Sequence, residues 1–185
     1  MMSSNALKLI CLTDVNEKSV IMKKNKAFMI ATFQKDAELS LNGMIDEEIA
    51  LGVAECNGDN NSKKLDKSKN KSWEWKYNSS ARNLVRMWWL SKFLTKLLDN
   101  LINNEQMTLV AGCQDAYQVG FAEHHPWLVR KGAGMAMSLA GQKAALLAKW
   151  GVQSAEEARP CLDALTTVRD NLNTLLSTRN LFDLP

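Results

Sequence analysis

Two pairs of charged side chains stand at helical spacing among residues that are otherwise largely apolar. Arg82 and Arg86 are four residues apart, as are Asp14 and Lys18, so the members of each pair share one helix face. Two arginines at this spacing repel each other, and an anion bound by both guanidinium groups would relieve that repulsion. The arginine pair therefore predicts an anion site, with a solvated helix face as the alternative. A surface ion pair is the alternative for Asp14 and Lys18.

The two histidines of the chain are adjacent and are the next candidates for functional residues. His124 and His125 directly precede Pro126, which can start a helix but cannot lie inside one without a kink. Both imidazoles are therefore expected at a bend between helices. A metal site would need a third ligand, and the chain has no HExxH or similar spacing. No serine or cysteine has the local signature of a nucleophile. We therefore expect that the chain binds no metal and no cofactor and is not an enzyme. The alternatives for the histidines are a packed side chain that bonds its neighbours and a hydrolase that uses His125.

Tryptophans and lysines suggest contact with a charged surface. Trp127 follows the bend, and Trp73 and Trp75 flank a lysine-rich run over 63–71. An exposed tryptophan favours a membrane interface because its ring is apolar at one end and donates a hydrogen bond at the other. Packing in the core is the alternative. The lysine run is typical of a solvated loop, although it could attract anionic headgroups or nucleic acid.

Composition indicates a single all-α domain. The chain has 185 residues, 46% of them hydrophobic, with three prolines and nine glycines. Its apolar segments are rich in good helix formers, and a chain of this length can bury a sizeable core. The net charge of +3 is a weak argument for a nucleic-acid protein. We therefore expect no nucleic-acid partner. A basic helical nucleic-acid binder remains as an alternative function.

Four widely spaced cysteines suggest a reducing compartment. Cys11, Cys56, Cys113 and Cys161 form no CxxC pair, so a zinc site is not expected. Their apolar neighbours predict buried free thiols. The apolar stretch over 6–12 is too short for a signal peptide or a membrane span. We expect a cytoplasmic protein.

Hydrophobic periodicity predicts the elements that would position these residues. One long helix, over about 80–102, is apolar around more than half its circumference and should pack on two sides. Ser154 and Glu157 form a capping box for the last helix. A polar, low-complexity segment at about 57–73 predicts a flexible loop inside the domain. Further helices are predicted over about 6–22, 26–35, 40–54, 107–123, 126–139 and 154–176. A short segment that ends at Trp150 is predicted before the last of them.

The blocks SARNLVRMWWLSKFL and DAYQVGFAEHHPWLVRKGAGMAM resemble the glycolipid transfer protein superfamily. The family pattern is an arginine-bearing central helix, then AY, a histidine before x-W, and another apolar helix. LTDVNEKSVIM resembles the family's headgroup helix, and MIDEEIALG resembles the segment before the central helix. The resemblance implies an all-α, two-layer helical sandwich that holds lipid chains between its layers, as one domain over 1–185. Only thirteen residues precede Asp14, so we expect the first family helix to be lacking.

The resemblance also assigns roles to individual residues. Asp14 matches the aspartate that accepts hydrogen bonds from the sphingoid amide and a hydroxyl, and His125 matches the histidine that bonds the amide carbonyl. Trp127 matches a tryptophan that docks on the membrane. His124 stands where the family usually has tyrosine.

The headgroup positions separate two branches of the superfamily. Sugar-binding members have an asparagine four residues after the aspartate and a tryptophan on the central helix; this chain has Lys18 and Arg86 there. With Arg82, these cations suit a phosphate, and a neutral sugar would leave them unpaired. The chain thus resembles the ceramide-1-phosphate transfer branch.

The resemblance implies non-vesicular transfer of a phosphorylated sphingolipid between membranes, without chemistry on the lipid. We expect a monomer that contacts the membrane surface transiently and is peripherally associated with it. A non-transferring sphingolipid sensor or interaction module, or a glycolipid carrier, are the alternatives.

Overall fold

All regular elements described by the structure, a computed structural model, are helical. It describes residues 40–50, 54 and 80–184. The α-helices are α1 (Leu41–Ala50), α2 (Ser80–Asn103), α3 (Leu109–Gly120), α4 (Trp127–Met137), α5 (Lys143–Lys149) and α6 (Ala155–Ser177), with a 3-10 turn at Ala122–His124. The all-α prediction is confirmed. The helices predicted over 6–22 and 26–35, and the loop predicted at 57–73, lie outside the described residues.

Helix α2 buries apolar side chains on two sides, as its sequence pattern predicts. Leu97 and Leu101 form one cluster with Ala116 of α3. Leu98 belongs to a second cluster with Leu162 of α6. Since residues 97 and 101 are one turn apart and residue 98 lies about 100° around the helix from residue 97, the two clusters occupy different faces of α2. This helix is the element around which residues 88–171 pack.

Helix α3 ends earlier than its apolar pattern predicts. Thr108 caps its first turn, its Oγ1 accepting a hydrogen bond from the N–H of Ala111 at 3.2 Å. After Gly120 the chain tightens into the 3-10 turn and becomes extended at His125, with φ −105° and ψ 133°. The extended conformation is the one that a residue before proline prefers. The predicted bend between α3 and α4 is therefore confirmed.

Short polar motifs set the boundary between α5 and α6. Gly151 has a φ of 73°, the left-handed conformation that glycine adopts without strain, and it follows the end of α5. Ser154 Oγ then accepts from the N–H of Glu157 at 3.3 Å. The carboxylate of Glu157 accepts from the N–H of Gln153 at 2.7 Å. The predicted capping box is present, with its return bond shifted one residue toward the N-terminus.

The described residues divide into two compact units. One comprises 88–171, and the other comprises 40–50, 54, 80–87 and 172–184. In the second unit, the guanidinium of Arg179 donates to both carboxylate oxygens of Asp46 on α1, at 2.7 and 3.2 Å. This hydrogen bonding holds the pKa of Asp46 below its usual range because it stabilises the charged carboxylate. The pair joins α1 to the segment that follows α6.

The described cysteines are both free thiols, and one is not buried. Cys113 on α3 is half-buried against the first cluster, and burial raises the pKa of its thiol. Cys161 is exposed, so its predicted burial is wrong. It lies on the solvent side of α6, whereas Ala158 and Leu162 supply the side that packs against α2.

Candidate functional site

The two arginines of the predicted anion site lie one turn apart at the start of α2. Arg82 is only 3% exposed. Arg86 is half-buried and donates from Nη1 to the backbone carbonyl of Arg82 at 3.0 Å. The structure therefore places both on one helix, as predicted, with the Arg86 guanidinium turned back toward Arg82. Asp14 and Lys18, the other predicted members of the headgroup site, lie outside the described residues.

A buried carboxylate fixes the N-terminus of the same helix. Glu48 of α1 is 5% exposed and accepts hydrogen bonds from the N–H groups of Ser80 and Ala81, at 2.5 and 3.1 Å. These N–H groups have no partner within the helix itself. Glu48 thus ties α1 to the turn that carries Arg82. This role could not be predicted from the sequence, since Asp46, Glu47 and Glu48 form one acidic run whose members look alike.

His125 is held by side chains of α3. Its Nδ1 lies 2.7 Å from the hydroxyl of Tyr117, which is 6% exposed. Its ring is parallel to that of Phe121 within 7°, at a centroid distance of 5.6 Å. Tyr117 and Phe121 are four residues apart and so lie on one side of α3. The sequence predicted a helix over 107–123 but not the polar contact of Tyr117, whose only signal was its place in the AY pair of the family pattern.

His124 packs against α2 instead. Its ring stacks on Trp89 at a centroid distance of 3.9 Å and an angle of 11°. Its Nε2 lies 2.9 Å from Oε1 of Glu123, which also accepts from Lys92 of α2 at 3.3 Å. His124 therefore fits the alternative of a packed histidine in contact with its neighbours. The two imidazoles are adjacent in sequence, but His125 contacts Tyr117 and Phe121, whereas His124 contacts Trp89 and Glu123.

Trp127, the predicted membrane-docking residue, begins α4 and is 61% exposed. The ammonium of Lys131, one turn later, lies 4.7 Å from the centroid of its ring. Leu128 is exposed as well. The start of α4 thus presents an amphipathic tryptophan with a cation beside it.

A separate open cleft of about 310 Å³ lies between α2, α3 and α6. It is lined by Lys92, Thr95, Lys96, Asp99, Val119, Leu162, Asp163, Thr166 and Arg169. Most of these side chains are charged or hydroxylated, unlike the lining expected for hydrocarbon chains. Of the predicted site residues that the structure describes, Arg82, Arg86, His125 and Trp127, none lines this cleft.

No helix over 40–50 or 80–184 is both long and apolar enough to cross a membrane. In those same ranges, no three His, Cys, Asp or Glu side chains are grouped so that they could hold a metal ion.

The sequence profile of the glycolipid transfer protein (GLTP) family matches residues 13–152. The ceramide-1-phosphate transfer protein of Danio rerio is 37% identical over 62 residues, which cover 31% of this chain and 28% of that protein. The protein of the same name from Xenopus laevis is 30% identical over 115 residues, covering 58% and 52%. The match thus spans about half the length of the Xenopus relative and less than a third of the length of the Danio relative.

Solved structures show the same fold. Human ceramide-1-phosphate transfer protein in complex with 12:0 ceramide 1-phosphate superposes with a TM-score of 0.71 at 21% identity, covering 94% of this chain and 77% of that one. The mouse protein without ligand gives a TM-score of 0.66 at 22% identity, covering 97% and 80%. The predicted fold class is confirmed, as is the resemblance drawn from the arginine and histidine motifs. The chain belongs to the glycolipid transfer protein family.

Proposed function

We propose that this chain binds a phosphorylated sphingolipid of the ceramide-1-phosphate type and carries it between membranes without covalent chemistry. The observation that carries the proposal is the arginine pair at the start of α2, in a chain of this family. Relatives named ceramide-1-phosphate transfer protein, from Danio rerio and Xenopus laevis, support the choice of ligand. So does the similar fold of a human protein that binds 12:0 ceramide 1-phosphate.

Electrostatics favours a phosphate over a sugar at these arginines. Removing a guanidinium from water is costly unless hydrogen bonds and an opposite charge offset the loss. Arg82 is buried and Arg86 lies one turn away, so their positive charges add. A phosphate monoester carries up to two negative charges and accepts bidentate bonds from arginine. A neutral sugar offers only uncharged hydroxyl groups, whose hydrogen bonds to a guanidinium are weaker than those of a charged phosphate.

The remaining roles follow from the family resemblance. Lys18 joins the arginines at the phosphate, while Asp14 and His125 bond the amide and a nearby hydroxyl. Each CH₂ of the lipid contributes about 0.8 kcal/mol to its preference for an apolar environment. A carrier must therefore enclose the chains in an apolar sleeve and satisfy the polar headgroup at its entrance. Binding alone accomplishes this, so we propose that the chain is not an enzyme.

Membrane contact is assigned to Trp127. Its exposure at the start of α4 suits insertion among lipid headgroups, and Lys131 beside it suits an anionic membrane surface. Such contact is brief in a carrier that must leave the membrane with its cargo. We propose a cytoplasmic monomer that associates peripherally with membranes.

A vesicle assay tests the proposal. Fluorescent ceramide 1-phosphate is followed from donor to acceptor vesicles with the wild-type chain, Arg82→Leu and Arg86→Leu. Each arginine variant should lose transfer by about tenfold or more, because a charge-assisted hydrogen bond contributes roughly 1.5–3 kcal/mol. Arg159→Leu is the control, since Arg159 is an exposed arginine on α6. Circular dichroism checks that each variant keeps its helices. Normal transfer by both arginine variants would contradict the proposal.

A non-transferring sphingolipid sensor is the second candidate. Stoichiometric binding of ceramide 1-phosphate, without movement between vesicles, would select this function. Transfer of glucosylceramide at a similar rate would instead select a glycolipid carrier. A switch of the wild-type preference toward glycolipid after Arg86→Trp would instead support the phosphate-binding branch.

A further inference from the structure

A buried carboxylate lies at the first turn of the helix that carries the two arginines. Glu48 accepts hydrogen bonds from the N–H groups of Ser80 and Ala81, and the next residue along the chain is Arg82. Both Glu48 and Arg82 are buried. Charged side chains are rarely buried to this extent unless a charge of opposite sign is nearby. Glu48 therefore belongs to the surroundings of the arginine pair as well as to the cap of α2.

The side chain of Arg86 brings the second positive charge toward the same end of α2. Its Nη1 donates to the carbonyl of Arg82 at 3.0 Å, while Glu48 accepts from the N–H of Ala81 at 3.1 Å. These two backbone groups lie within one helical turn, which rises about 5.4 Å. The carboxylate of Glu48 and the guanidinium of Arg86 are therefore no more than about 12 Å apart. Charges at this separation still interact, because burial reduces their screening by salt.

We propose that Glu48 is a specificity-determining residue whose negative charge lowers the affinity of the Arg82–Arg86 pair for anions. This inference rests on the proposed function, in which the pair binds the phosphate of a sphingolipid. A phosphate at this pair is attracted by two guanidinium groups and repelled by the carboxylate. The phosphate group alone is then held weakly, and firm binding needs the other contacts of the lipid. Soluble phosphates lack those contacts, so the site discriminates against them.

The hydrogen bonds of Glu48 keep its charge in place. Its two oxygens accept from separate backbone N–H groups, so a carboxylate that turned away from an approaching anion would lose both bonds. Glu47, the adjacent residue on α1, is exposed. Water and salt screen an exposed charge far more than a buried one. Of these two neighbouring carboxylates, only that of Glu48 is therefore expected to affect an anion at Arg82 and Arg86.

The first test is an NMR titration of the lipid-free chain with inorganic phosphate. Glu48→Gln keeps the size of the side chain and one carbonyl acceptor while removing the charge. It should bind phosphate roughly three- to tenfold more tightly than the wild type, as expected when one like charge about 10 Å from the anion is removed. Glu47→Gln removes the same charge from an exposed position and should leave the affinity nearly unchanged. Unchanged or weaker binding by Glu48→Gln would overturn the inference.

A merely structural role for Glu48 predicts the opposite result. Glutamine cannot accept from both N–H groups as the carboxylate does, so Glu48→Gln should lower Tm. We therefore expect stability to fall while anion affinity rises, whereas a residue that only held α2 in place would lower both. If Glu48→Gln is partly unfolded, it is compared with the wild type in a Gly134→Ala background. Alanine there meets no atom within 4 Å and should stabilise α4. Added phosphate should shift the guanidinium signals of Arg82 and Arg86; shifts confined to other residues would contradict the inference.

Binding of short-chain ceramide 1-phosphate separates this inference from the proposed function. The wild type should bind this lipid far more tightly than inorganic phosphate, and Glu48→Gln should raise both affinities by a similar factor. A chain in which Glu48→Gln gains affinity for inorganic phosphate, but which does not bind ceramide 1-phosphate, would contradict the proposed function while supporting the effect of Glu48 on anions. Wild-type binding of ceramide 1-phosphate that Glu48→Gln does not strengthen would contradict the inference alone.

Discussion

Gly120 on α3 lies directly against Phe93 on α2. A Cβ atom added at Gly120 would come 2.7 Å from the Cβ of Phe93 and 2.9 Å from its backbone nitrogen. It would also lie 2.9 Å from the backbone oxygen of Trp89. These atoms belong to the helix backbone or adjoin it, so no side-chain rotation relieves the contact. The absence of a side chain at position 120 therefore permits the close approach of the two helices just before the turn that carries His124 and His125.

Gly120→Ala should destabilise the chain by about 1–3 kcal/mol, because overpacking forces the backbone of α2 and α3 apart. Urea unfolding followed by circular dichroism measures this change. Gly134→Ala is a matched control, since Gly134 lies within α4 with nothing within 4 Å of an added Cβ. Alanine there should stabilise the helix by about 0.5–1 kcal/mol. Equal effects at both positions would show that steric contact at Gly120 is unimportant.

Removal of the Glu48 carboxylate should also destabilise the chain. Glu48→Ala deletes the acceptor of two backbone N–H groups, at Ser80 and Ala81. Losing such a cap costs about 1–2 kcal/mol, which in a chain of this size lowers Tm by about 2–4 °C for each kcal/mol. Thermal unfolding measures the shift. Glu47→Ala removes the neighbouring exposed carboxylate and should leave Tm nearly unchanged.

The Asp46–Arg179 pair predicts a dependence of stability on pH. Its hydrogen bonding lowers the pKa of Asp46 in the folded chain relative to the unfolded chain. The pair therefore stabilises the fold fully above the unfolded value of about 4, and the contribution disappears as pH falls through the lower, folded value. Arg179→Gln should raise the pKa of Asp46 toward its usual value, which an NMR titration of the carboxyl group measures. Arg159→Gln should leave that titration unchanged; an unshifted Asp46 in Arg179→Gln would contradict the assignment.

Trp127→Ala should weaken binding to vesicles without altering stability. Its indole is 61% exposed, so truncation removes few contacts within the fold, whereas at a membrane it removes a large amphipathic ring. We expect binding to fall by about tenfold in a sedimentation assay with anionic vesicles. Trp150→Ala, at an exposed tryptophan after α5, is the control and should bind nearly as well as the wild type. A loss at Trp150 without a loss at Trp127 would place the docking surface elsewhere.

Sequence periodicity was sufficient to predict the long helix and its two packed faces. The apolar positions of α2 include Leu97 and Leu98, which face different clusters, and this arrangement follows from the 100° turn per residue. The bend at His124 and His125 followed from the restriction that Pro126 imposes on the residue before it. These features depend on local sequence, so they can be read without knowledge of tertiary contacts.

Contacts between distant elements were not predictable in the same way. Glu48 meets Ser80 across 32 positions of sequence, and no pattern distinguishes it from Glu47 beside it. Nothing local in the sequence indicated that the buried Tyr117 places its hydroxyl 2.7 Å from Nδ1 of His125. Cys161 was expected inside because its neighbours are apolar, although α6 turns that side chain toward solvent. In each case, the deciding factor was the direction of a side chain relative to another helix.

The carboxylate at the start of α2 changes the way in which this helix can attract an anion. A helix N-terminus carries about half a positive elementary charge, and many phosphate sites use its open N–H groups. Here the Glu48 charge offsets that dipole, and its oxygens occupy the N–H groups of Ser80 and Ala81. In the proposed function, selectivity for the oxyanion therefore depends on the planar guanidinium groups of Arg82 and Arg86 rather than on the backbone. If the proposal holds, exchange of either arginine for lysine should preserve the charge but lose the bidentate hydrogen bonds to paired phosphate oxygens.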